Sequence, residues 1–103
     1  MGAYNNKVLA GHKIKQVLGQ TATTTAQLFR DLRGDGISNE ITSVLVTNLN
    51  DTANLLVSTD GGTNSMTVYP LGSIDMNTES VHGITITSSS GSVSFDLFYT
   101  VRQ

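Results

Sequence analysis

The feature that most constrains this chain is an alternation near its end. Val93, Phe95, Leu97, Tyr99 and Val101 fall on one side, and Ser94, Asp96, Phe98 and Thr100 on the other. Successive side chains of a β-strand point to opposite faces, so a period of two over that stretch defines a strand with one buried face. A helix would scatter the same bulky residues around its circumference. The rest of the chain must supply a second apolar surface for that row to pack on.

Several upstream segments have the right character. Ile84-Thr85-Ile86-Thr87 reads as a strand and Ser88-Ser89-Ser90-Gly91 as a turn, which predicts a β-hairpin with the closing strand. Ile41 to Thr47 is β-branched, with Val44 and Val46 on one face, and Asn48 to Thr52 is rich in turn residues. Asn54 to Ser58 is the next strand, with Leu55 and Val57 on one side, and Asp60-Gly61-Gly62 is a strong turn signal. Met66 to Leu71 alternates again, and Pro70, lacking a backbone donor, belongs at a strand end or edge. Val8 to Ala10 and Ile14 to Leu18 look extended. Thr24-Thr25-Ala26-Gln27 fits a capping box, with Leu28 and Leu32 one helical turn apart and Gly34 placed for a C-terminal cap, so one short helix is expected over 25–32. A strand through the Thr run is the competing reading. Short strands and turns without helix-length spacers predict an all-β fold, an antiparallel β-sandwich of jelly-roll-like form.

Composition narrows the class further. The 103 residues make one domain, 1–103, with a thin core. Charged residues are 14% of the chain, below the roughly 25% of ordinary soluble domains. A sparsely charged surface suggests that part of it is covered in the working state. The absence of cysteine excludes disulfides, thiolate metal sites and a Cys nucleophile. No apolar run reaches the roughly 20 residues needed to cross a bilayer, and Met1 to Lys7 has no signal-peptide core. Charge is segregated. Lys7, Lys13, Lys15, Arg30 and Arg33 face only Asp31 in the first third, whereas acids dominate the remainder. Residues 1–20 therefore read as an extended docking segment, whose Lys7, Lys13 and Lys15 would meet an acidic face of this chain or of a neighbour.

Chemistry-bearing constellations are sparse. His12 and His82 lie far apart with no ligand at helical spacing, and no metal site is expected. Asp60-Gly61-Gly62 is followed by Thr63, Asn64 and Ser65, not by the further carboxylates of a Ca²⁺ loop. Arg33-Gly34-Asp35 spells an integrin tripeptide at an expected helix end, and Asn50-Asp51-Thr52 is a glycosylation sequon in an expected turn. Phosphate-cradling loops and nucleophile elbows are missing. We therefore expect no catalytic residues, no cofactor, no nucleic-acid partner and no membrane partner. Phe98 is the residue that stands out, because it lies on the face opposite the core of the most regular strand. A ring exposed on a sheet invites association, so Phe98 is the candidate contact with a partner or another copy.

From Val44 to Val101 the chain resembles small β-sandwich virion proteins of tailed bacteriophages, of the capsid decoration (cement) or head-fibre type. The resemblance lies in the order of its pieces: Val44-Leu45-Val46-Thr47-Asn48, a polar turn, Leu55-Leu56-Val57-Ser58, Asp60-Gly61-Gly62, Pro70-Leu71-Gly72, an Ile strand, and Ser90-Gly91 leading into the closing strand. It implies a non-enzymatic protein that stabilises a shell as a symmetric homo-oligomer, a trimer above all. The partner would be a capsid or other virion protein, and assembly into the virion would take place in the host bacterial cytoplasm. The alternative is a carbohydrate- or receptor-binding β-sandwich module of a phage tail or cell surface. The absence of Trp counts against that alternative.

Overall fold

A computed structural model describes residues 12–102. They form eight strands and, among the described residues, no helix. The strands are β1 (His12–Ala22), β2 (Gln27–Phe29), β3 (Glu40–Asn48), β4 (Leu55–Ser58), β5 (Met66–Val68), β6 (Ser73–Val81), β7 (Ile84–Ser88) and β8 (Val93–Arg102). Two four-stranded sheets result, β1-β8-β3-β6 and β2-β7-β4-β5, with every pairing antiparallel. The chain shuttles between the two sheets, which is the connectivity of a jelly roll. The expected β-sandwich is the fold found.

The alternation of β8 acts as read. Val93, Phe95, Leu97 and Val101 are fully buried and Tyr99 almost so. They meet Val44 and Val46 of β3, Leu55 and Val57 of β4, and Ile84 and Ile86 of β7 in one core. Phe29 of β2 stands edge-on to Phe95, with ring centroids 5.9 Å apart and planes at 80°. That geometry suits the aromatic quadrupoles and ties the two sheets together.

Two local expectations are corrected. The stretch expected as a helix over 25–32 instead contains β2, which pairs with β7 through Gln27↔Ile86, Leu28↔Thr85 and Phe29↔Ile84. Helical packing would have buried Leu28 and Leu32, yet both are exposed. The burial comes from Phe29, which a ladder can aim at Phe95 while keeping its backbone paired. The Thr23 hydroxyl accepts the Thr25 N–H (3.2 Å), turning the chain where the capping box was read. It is Gly36, not Gly34, that takes positive φ, in the turn closed by the Gly36 N–H to the Arg33 carbonyl (2.9 Å). The predicted C-terminal hairpin is also absent, because β7 and β8 lie in different sheets. Both carry an apolar row, and each row gains more by facing the other across the core than by lying beside it.

Bulges reset the faces of the long strands. In β1, Val17 pairs with Leu97 and Gln20 with Phe95, so Leu18 and Gly19 oppose Asp96 alone. Gly19 has φ 61° and its N–H donates to the Asp96 carboxylate (2.8 Å). In β3 a register shift between Ile41 and Ser43 lets Ile41 share the inner face with Val44 despite the odd spacing.

Candidate assembly surface

The outer face of the β1-β8-β3-β6 sheet, the large sheet because its strands are the longer, is built from the positions that alternate with the core. Cross-strand pairing lines up Gln16, Phe98, Leu45 and Asp75 in one row and Ile14, Thr100, Ser43 and Asn77 in the next. Phe98 and Leu45 are half-buried against one another, and Ile14 stands exposed beside them. Together they floor an open depression of about 290 Å³, edged by Ser43, Thr100 and Asp75. The Ser43 and Thr100 hydroxyls bond to each other across the strands and leave the floor apolar. Phe98 is thus on the face opposite the core, as its position in the alternation predicts.

Two of the basic residues, Lys13 and Lys15, lie at the margin of the same sheet. Lys7 lies outside the described residues, as does the segment 1–11. Residues 12–20, the second half of the expected docking segment, form most of edge strand β1. Lys13 and Lys15 pair in register with Val101 and Tyr99, so they lie on the inner side of the sheet at its margin. There their amines reach Asp31 Oδ1 at 3.2 and 3.3 Å. Asp31 is buried, and Asn39 Nδ2 donates to its Oδ2 (2.7 Å). The Asn39 hydrogen bond, helped by the two lysines, holds the Asp31 carboxyl below its ordinary range even though burial opposes ionisation. Burial, with the Asp31 charge adding to it, pushes the Tyr99 phenol up. The acidic face that Lys13 and Lys15 meet therefore belongs to their own chain.

Other polar motifs are also spent on local structure. Arg33 donates to both carboxylate oxygens of Asp35 (3.3 and 3.1 Å), and the Ile37 N–H donates to Asp35 Oδ1 (3.0 Å), so the Arg-Gly-Asp tripeptide folds on itself. The Asp60 carboxylate accepts the Asn64 N–H (3.0 Å), the Ser58 hydroxyl (2.7 Å) and Asn64 Nδ2 (2.9 Å), which brings its pKa to about 2. That carboxylate caps its own turn. Arg102 bonds Glu40 at 2.7 Å and also points its Nε at His12. Among the described residues no three His, Cys, Asp or Glu side chains gather as a metal site would require.

Sequence reasoning missed Asn48. It is fully buried, donates to the carbonyls of Ala53 (2.9 Å) and Val68 (3.0 Å), and accepts the Asn50 N–H (2.8 Å). Its one visible signal is a polar residue ending an apolar strand before a turn. Asn48 anchors the end of the sandwich where Leu49, Tyr69 and Leu71 stand exposed.

The class defined so far is a two-sheet jelly roll with an apolar recess on one outer face. No protein-family model matches the chain, and no curated protein does. Among solved structures it is similar to a Bacillus endospore appendage protein, described as one of a novel family of disulfide-linked pili. The match has 18% identity and a TM-score of 0.55, and covers 95% of this chain and 97% of that one. At that identity the likeness concerns the fold.

Proposed function

We propose that this chain is a non-enzymatic structural subunit that assembles with copies of itself and with a larger particle. The observation that carries this reading is the apolar recess around Phe98, presented on a sheet whose central strands β3 and β8 already bury their inner rows in the core. Buried apolar area there would drive association, and β1 and β6, the edge strands of that sheet among the described residues, offer backbone for further contacts. The structural neighbour, itself an appendage protein by its description, has the same fold over nearly its whole length.

The finer reading is a bacteriophage virion protein, a decoration protein bound to the shell as a trimer, and it rests on the order of segments between Val44 and Val101. A second reading, a subunit of a filament, is favoured by the full-length match to the appendage protein. Such a filament would be held without disulfides, since this chain has no cysteine. A sugar-binding role is less favoured, because Tyr69 is the one strongly exposed aromatic ring among the described residues.

Electron microscopy and light scattering of the concentrated protein test the proposal. Closed oligomers that bind shells support decoration, and open fibres support the filament. A protein that stays monomeric at millimolar concentration and binds no particle would defeat both. Phe98→Asp should abolish association and leave the monomer folded.

A further inference from the structure

We propose that the Tyr69–Pro70–Leu71 corner of one copy seats in the Phe98 recess of another, so that the contact joins two different patches of the same chain. This rests on the assembly reading above and names the partner of that surface.

The corner is an apolar projection. Tyr69 is 69% exposed and Leu71 68%, with Leu49 beside them at 43%. Leu71 has φ 60°, a conformation that L residues with a side chain rarely adopt, although Gly72 stands next to it. A strained backbone that holds a large apolar side chain in water invites a functional explanation. The corner is also stiff. The Leu71 N–H donates to the Asn50 carbonyl (3.0 Å), the Gly72 N–H to the Tyr69 carbonyl (2.9 Å), and the Gly72 carbonyl accepts the Asn48 N–H (2.9 Å). Buried Asn48 fixes the turns beneath it. Little order would have to be gained on docking.

The recess matches it in chemistry and size. Ile14, Leu45 and Phe98 give an apolar floor, and Asp75 places a carboxylate at the rim, where the Tyr69 hydroxyl could donate to it. A closed cavity of about 150 Å³ holds a benzene ring, so the open depression of about 290 Å³ has room for the Tyr69 ring with Leu71 at its mouth. Because the projection and the recess are separate patches, the contact is heterologous. It closes into a ring if the rotation allows and runs on as a fibre if it does not.

The test uses two variants of the full chain. Tyr69→Ser/Leu71→Gly removes the projection and relieves the strain, and Phe98→Thr spoils the recess with a good strand former. Sedimentation and thermal melting are followed for wild type, each variant and their 1:1 mixture. The expected result is an assembling wild type, two folded monomeric variants, and a mixture that forms heterodimers of twice the monomer mass and nothing longer. If the wild type assembles but either variant also assembles, or the mixture stays monomeric, the pairing is wrong and the assembly reading survives. A wild type that never associates overturns both.

Discussion

The two sheets of the sandwich bury similar inner faces and differ outside. In the large sheet Phe98 and Leu45 are direct cross-strand neighbours. In the small sheet the outward leucines, Leu28 and Leu56, are kept apart by Thr85 and Thr87 of the intervening β7. Each outer face therefore carries bulky apolar side chains, and among the described residues the large sheet brings them together into a recess. An isolated exposed leucine is ordinary on a protein surface, whereas a contiguous apolar patch on a rigid sheet is a place to dock. Register makes the difference.

The largest expected effect tests the inner faces that both sheets share. Phe95→Ala removes a fully buried ring and its contact with Phe29, and should lower stability by about 3–5 kcal/mol in denaturant titration. An unchanged midpoint would mean that the faces of β8 are reversed. Asn48→Ala leaves two carbonyls and one N–H at the sandwich end without their partner. It should cost about 2–3 kcal/mol, and hydrogen exchange should quicken around Ala53 and Val68.

The third prediction concerns the margin between the sheets. The folded Asp31 carboxyl lies below its ordinary value of 3.8, so its stabilising contribution is complete above that pH and is lost as pH falls through the lower folded value. Asp31→Asn should cost about 1 kcal/mol at neutral pH, since both lysines are partly exposed, and should flatten the acid limb of a stability–pH curve. An identical acid limb in wild type and variant would remove Asp31 from that role.

The smallest effects sharpen the contrast between outer faces. Phe98→Thr should change the melting free energy by less than about 1 kcal/mol while abolishing association. Leu56→Thr, on the other outer face, should change stability by no more than about 0.5 kcal/mol and leave association intact. Light scattering on the pair would show whether contiguity, and not mere apolar exposure, makes the large sheet the assembly surface.

Local sequence determined that β8 is a strand, whereas the nine residues of β6 (Ser73–Val81), whose inward positions are only partly buried, were not legible as one. The buried row of β8 follows from Val93 to Val101 alone, and Phe98 on the opposite face follows with it, because a period of two states which side chains share a face. That period does not state which face is covered, nor which strand lies alongside. The segment from Ile14 to Leu18 reads only as extended, and in the fold Ile14 and Leu18 face outward while Lys13 and Lys15 lie inward, because β1 is an edge strand whose inner margin is occupied by Asp31. The bulge in β3 turned Ile41 inward against its apparent parity. Phe29 replaced the expected helix with a three-residue strand, and β7 crossed to the other sheet instead of pairing with β8. Asn48, the recess and the corner at Leu71 share one cause. Each is assembled from residues far apart in the chain, and only long-range pairing and packing could bring them together.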